Sequence, residues 1–227
     1  FDALTRGEDE IRQNQELGIG QLRIGVSNTL CRYMLLPYLK GFIQDHPHIK
    51  ISIFSQSSSK SLEMLEQGQI DVGLVAEPRN KRLDFFPVRS IEDCFVATDN
   101  YLDNLRLREG NPDVSWFEKG NIMLLDHSNV TRLHIDNYLM ENSIECRQIL
   151  EVTSMDLLIE FSRIGMGIGC VIKDFVLEDL HQGLLTEIPL SPGIHPRTIG
   201  FVSRPNGSHS RAVKAFMDYY KSYPFQD

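Results

Sequence analysis

Apolar residues along this chain keep two rhythms, one of period two and one of helical period, and they alternate in order. Leu22, Ile24 and Val26 fall on every second position of Gln21–Val26, the mark of a strand. The polar break Ser27-Asn28-Thr29 follows. Leu39, Phe42 and Ile43 then give a helical stripe within 30–45, with Pro37 placed as for a helix's first turn and His46-Pro47 as its stop. Ile49, Ile51 and Ile53 return to period two. Gln56 to Ser61 is a second polar break, Leu62 and Leu65 mark a short helix closed by Gly68, and Asp71–Val75 reads as a third strand. Strands separated by helices predict parallel pairing, because a crossover helix carries the chain back to the same end of the sheet.

The same order returns later. Asn121–Leu125 reads as a strand, followed by the polar Asp126-His127-Ser128-Asn129 and a helix carrying Leu133, Tyr138 and Leu139 that ends near Asn142-Ser143. Gln148–Val152 is a strand, Thr153-Ser154 a cap, Leu157, Leu158 and Phe161 a helix ending at Gly165, and 167–172 a closing strand. Two lobes on one plan, each opening βαβαβ, are expected. Thr198–Val202 adds a strand, and Ser208 is the expected cap of a last helix bearing Ala212, Ala215, Phe216 and Tyr219. The polar stretch from Leu4 to Leu17, stopped by Gly18 and Gly20, reads as the end of an exposed helix, and the start at Phe1 as truncation or processing.

Charge and composition narrow the function. The 227 residues carry a formal net charge of -8, which argues against a general binder of phosphate backbones. No apolar run approaches the roughly 20 residues needed to span a bilayer, and the polar N-terminal stretch is unlike a secretory signal, so a cytoplasmic location is expected. Cys31, Cys94, Cys146 and Cys170 lie far apart beside apolar residues, which favours buried thiols over disulfides or metal ligands.

The three polar breaks carry the candidate chemistry. Ser27-Asn28-Thr29, Ser57-Ser58-Ser59 and Ser128-Asn129 with Thr131 each stand where a strand hands over to a helix, the edge at which open parallel sheets bind ligands. Free N–H groups at helix starts, with hydroxyl and amide donors, favour a carboxylate or other small anion. The plainer reading is that these residues are only caps. Arg32, Lys60 and Arg132 lie just beyond the breaks and are candidates for a charge-assisted bond to an anion, or for ordinary surface pairing. GxSxG, Walker-type, GxGxxG and HExxH patterns are absent. His46 and His48 read as a surface turn, and Glu63, Glu66, Asp71 and Glu77 as a solvated face and strand caps. No catalytic residue, cofactor or metal site is expected.

Gly20–Val26, Leu35–Leu39, Phe42, His46-Pro47 and Gln67–Val75, with Glu151–Ile172 and its Gly165-Met-Gly-Ile-Gly169, resemble the effector domain of LysR-type transcriptional regulators. The resemblance implies an α/β fold of two Rossmann-like lobes joined by two crossing strands, near 92–97 and 198–202, as in type 2 periplasmic binding proteins. It implies lobe one over 20–94 and 200–227, lobe two over 95–199, and a linker helix end over 1–19. It further implies a small-molecule effector held between the lobes, self-association to a homodimer or tetramer, and DNA contact only through an N-terminal winged helix-turn-helix outside this chain. By position it nominates Ser27, Asn28, Thr29, Ser57, Ser58, Asn129 and Thr131, with Ser154 a weaker candidate. The family's peroxide-sensing branch uses two nearby cysteines, a spacing that Cys146 and Cys170 do not match. A solute-binding receptor of the same fold, and a two-lobed enzyme, are the alternatives.

Overall fold

The computed structural model describes residues 20–78, 82–110, 115–127, 129–205 and 210–223. The expected linker helix over 1–19, Ser128 and Ser208 lie outside them. In chain order the elements are β1 (Gln21–Val26), α1 (Asn28–Leu30), a π turn (Cys31–Leu35), α2 (Leu36–Asp45), β2 (Lys50–Ser55), α3 (Ser58–Glu66), β3 (Val72–Ala76), β4 (Asp84–Ile91), β5 (Asp93–Ala97), α4 (Asp99–Glu109), α5 (Trp116–Lys119), β6 (Asn121–Leu125), α6 (Val130–Glu141), β7 (Gln148–Val152), α7 (Met155–Arg163), β8 (Ile168–Ile172), a 3-10 turn (Lys173–Phe175), α8 (Leu177–His181), β9 (Thr186–Glu187), β10 (Arg197–Ser203) and α9 (Arg211–Ser222).

These elements divide into two compact units, one running to Arg89 and resuming at Thr198, the other from Ser90 to Arg197. Each holds a five-stranded mixed sheet, ordered β2-β1-β3-β10-β4 and β7-β6-β8-β5-β9. β1 pairs in parallel with β2 and β3, and β6 in parallel with β7 and β8, so the repeated βαβαβ plan is present in both. An antiparallel strand then joins each: β10 beside β3, and β5 beside β8. The helices α3 and α7 end where expected. Gly68 and Gly165 both take φ of 72°, the left-handed conformation that side chains with a Cβ resist.

One expectation, the cap of the last helix, is corrected. Pro37 stands in the first turn of α2 as expected, with helical turns already ahead of it from Asn28. Proline has no N–H to give to the carbonyl four residues back, and the turn before it widens: the Leu36 N–H reaches the Cys31 carbonyl, closing a π turn over Cys31–Leu35. The last helix starts at Arg211, capped by the Ser210 hydroxyl, which accepts from the Val213 N–H.

Burial follows the pattern of apolar positions. Leu22, Ile24, Val26, Val72, Leu74 and Phe201 are fully buried in the first unit, and Phe95, Ile122, Ile168 and Val171 in the second. The helix α9 docks on the first unit through rings: Phe216 meets Tyr38, Phe42 and Phe201 edge-on, with centroids 5.5, 5.2 and 5.1 Å away. Cys94 and Cys170 are buried, whereas Cys31 and Cys146 are partly exposed; all four are free thiols.

Candidate functional site

The strand ends Val26 and Ser55 are register partners in the parallel pair β1/β2, so the two polar breaks that follow them start side by side. Ser27 caps α1, its hydroxyl accepting from the Leu30 N–H at 3.3 Å. Ser57 caps α3 in the same way, accepting from the Lys60 N–H at 3.2 Å. The plain capping role is therefore real at both positions. Capping leaves the N–H groups of the next two residues without an intrahelical partner, here Asn28 and Thr29, then Ser58 and Ser59. Asn28 is exposed and Ser58 half-buried, while Thr29 is buried at 5% exposure. The Asn28 amide oxygen accepts from the Ser55 hydroxyl, tying the first break to the end of β2. The alternation within β2 offered a signal for Ser55, as the last residue of the strand beside the break.

The second unit repeats the arrangement. Leu125 and Val152 end the parallel pair β6/β7 as register partners. Asn129 caps α6, its side-chain oxygen accepting from the Thr131 N–H at 2.9 Å, and Ser154 caps α7, accepting from the Leu157 N–H at 3.3 Å. Thr131 is half-buried in the first turn of α6.

Electrostatics separate the four starts. No acidic residue stands in the first turn of α1, α3 or α6, whereas Asp156 occupies that of α7. A carboxylate there already complements the positive end of the helix dipole, which lowers the value of Ser154's helix for an anionic ligand.

The three nearby cations differ in kind. Lys60 is exposed and paired with Glu63 at 2.8 Å, an interaction that holds the Glu63 carboxyl below its usual range. Arg32 is exposed and lies over the Tyr33 ring, 5.5 Å from its centroid. Arg132 is 3% exposed and saturated: it donates to the Leu125 carbonyl at 2.7 Å, to Asp136 at 2.8 Å and to Glu151 at 3.1 Å, with His127 Nε2 3.2 Å away. His127 in turn sits 2.9 Å from Glu151 and 3.6 Å from Asp136. Arg132 thus joins the ends of β6 and β7 to α6 and acts as the frame of the break. The sequence marks Arg132 and His127 as neighbours of the break, but Glu151 and Asp136 reach it only through strand pairing and one helical turn.

Among the described residues no group of three or more His, Cys, Asp or Glu side chains is placed to hold a metal ion, and no helix is long and apolar enough to cross a membrane. The sequence model of the LysR substrate binding domain matches residues 15–223. A probable RuBisCO transcriptional regulator of Nostoc is 23% identical over 91% of this chain, which spans 62% of that regulator's length. Among solved structures, the Synechocystis CcmR regulatory domain in complex with 2-PG has a TM-score of 0.75 at 19% identity, covering 90% of this chain and 97% of that one. The effector-binding domain of QuiR in complex with shikimate has a TM-score of 0.73 at 20% identity, with the same coverage of each.

Proposed function

The chain belongs to the LysR substrate-binding domain family, and from that premise we propose that it is the effector-sensing and oligomerisation part of a LysR-type transcriptional regulator, with no catalytic role. The effector is a small anion such as a carboxylate or phosphate ester, and the residues we assign to its recognition are Ser27, Asn28, Thr29, Ser57 and Ser58 in the first unit and Asn129, Thr131 and, more weakly, Ser154 in the second. The observation that carries this reading is the side-by-side start of two capped helices after β1 and β2, bridged by Asn28 and Ser55 and free of first-turn acid. Preorganised N–H groups of that kind complement a small oxyanion. The ligands in the complexes of two fold relatives, 2-PG and shikimate, fit the size class.

DNA contact in this reading belongs to a winged helix-turn-helix outside the chain, and the working location is the cytoplasm. Self-association is supported by exposed apolar residues two helical turns apart on matching helices, Leu36 with Ile43 on α2 and Leu133 with Met140 on α6. Sedimentation of the chain tests it: a homodimer or tetramer is expected, and a monomer at all concentrations contradicts it.

A thermal-shift screen with small carboxylates, phosphate esters and inorganic anions tests the sensing function, because a ligand bound to the native state raises apparent stability. Titration calorimetry with the best hit should show weaker binding by Ser27→Ala and Thr131→Ala. Unchanged affinity in both removes the site assignment.

A further inference from the structure

The ring of His127 stands among partners that no neutral form of it can satisfy together. Its Nε2 lies 3.2 Å from Arg132 Nη2 and 2.9 Å from the Glu151 carboxylate, and its Nδ1 lies 3.6 Å from the Asp136 carboxylate. A guanidinium only donates and an ionised carboxylate only accepts. Toward Arg132 the Nε2 must offer a lone pair; toward Glu151 it must carry a proton. We infer that His127 is a pH-operated toggle at the start of α6, neutral against Arg132 and protonated against Glu151 and Asp136, which raises the second unit's affinity for an anion as pH falls. The gain in affinity rests on the anion-binding reading of Asn129 and Thr131.

Each neutral tautomer leaves a conflict. With its proton on Nδ1, the ring gives to Asp136 and accepts from Arg132, but the Nε2 lone pair faces Glu151. With the proton on Nε2, it gives to Glu151, but the Nδ1 lone pair faces Asp136 and Arg132 finds no acceptor on the ring. Only the imidazolium donates to both carboxylates at once. Its cost is the like charge of Arg132, which loses the ring and keeps the Leu125 carbonyl, Asp136 and Glu151 as acceptors.

Protonation also changes the charge at the helix start. Asp126, the residue before the ring, adds a third carboxylate to Asp136 and Glu151, so with neutral His127 the group sets one positive charge, Arg132, against three negative ones. The imidazolium supplies a second positive charge two residues before the Asn129 cap, and the first turn of α6 holds no acid that would offset it. Other titratable groups nearby do not share the task. The Cys146 thiol, which feels Arg132 and Asp136, is pushed up to about 11 by burial, and His134 on the same helix is bonded to the His195 carbonyl. The His127 side chain is 67% exposed, so it exchanges protons with solvent freely. Imidazole ordinarily changes charge between about pH 5 and about pH 8.

The test is an NMR titration of the full chain from about pH 8 to about pH 5.5 without added anion, reading the His127 ring and the Asn129 and Thr131 amides. Both amides should move with the midpoint of the ring, and His127→Gln should abolish that movement with the rest of the spectrum retained. Movement that persists in His127→Gln assigns the titration to another group and overturns the proposal, as do amides that stay still in the parent chain. Inorganic sulfate, doubly charged throughout this range, then serves as the anion. Because the ring is solvated and its charge screened, the parent chain should bind sulfate about threefold more tightly at the lower pH, and His127→Gln equally at both. Saturable binding of equal strength at both pH values in the parent chain overturns the proposal and leaves the anion site standing. No saturable binding at these amides at either pH removes the anion site, and with it the gain in affinity, while the titration without sulfate judges the toggle alone.

Discussion

Asp93 and Arg197, 104 residues apart, face each other through two parallel hydrogen bonds, Nε to Oδ2 at 2.6 Å and Nη2 to Oδ1 at 2.9 Å. Asp93 opens β5 and Arg197 opens β10, the two strands next to the points where the chain passes from one unit to the other. The carboxylate is fully buried and the guanidinium 12% exposed. Paired geometry of this quality offsets the cost of taking both charges out of water, but neither partner tolerates losing the other.

Asp93→Ala should therefore destabilise the fold by about 3 kcal/mol. Urea unfolding followed by tryptophan fluorescence and circular dichroism would read it as a lower midpoint. A midpoint unchanged from the parent chain would show that the pair adds nothing net.

Ser27 separates capping from sensing. Asp is as good a cap as Ser, so Ser27→Asp should change stability by only about 0.5 kcal/mol, whereas Ser27→Ala should cost about 1 kcal/mol. The aspartate puts a negative charge at the proposed anion site, so effector affinity should fall at least tenfold in the stable variant. Calorimetry on both variants checks this, and full affinity in Ser27→Asp counts against an anionic ligand at that helix.

Arg132→Met should cost roughly 2–3 kcal/mol, because the Leu125 carbonyl loses its donor and the Asp136 and Glu151 carboxylates lose theirs. The two carboxylates are partly exposed and can hydrate, which keeps the loss below that of a fully buried pair. Thermal unfolding measures it. A stability loss below 0.5 kcal/mol would show that Arg132 does not frame the second unit's break.

The thiols predict an alkaline limit. Burial pushes Cys146 up to about 11, Cys94 higher still, and Cys170 well above the ordinary thiol range. A thiol whose folded value is raised keeps its stabilising effect below the unfolded value, near 9, and loses it as pH climbs through the folded value. Stability should therefore decline from about pH 9 to 11, measured by urea midpoints across that range. In the native chain at pH 8, a disulfide reagent should label Cys31 first and Cys170 last.

The parallel core of each unit was legible because its strands are short apolar runs between helical stripes, and β1, β6 and β7 have the bounds their alternation predicts. β4 was not read. Pro87 interrupts its pattern, which is tolerated because β4 lies at the edge of its sheet. Only Leu102 and Leu105 of α4 are buried, too sparse a stripe to announce a helix. The expected apolar positions Leu133 and Leu157 are 52% and 47% exposed, since periodicity alone does not say which apolar residues face the sheet. At the candidate site, the caps were visible one by one, but their pairing was not. That depends on the β1/β2 and β6/β7 registers, which bring Ser55 to Asn28 and Glu151 to Arg132.

The position of β10 has a consequence for how the chain is made. It lies between β3 and β4 in the first unit's sheet, yet its residues come after the whole second unit. On a ribosome, the second unit's uninterrupted stretch emerges complete and is free to mature early. The first unit must wait with a gap between β3 and β4 until Arg197–Ser203 and the helix behind it have left the exit tunnel, so release of the chain near residue 197 would yield one finished half and one unfinished half.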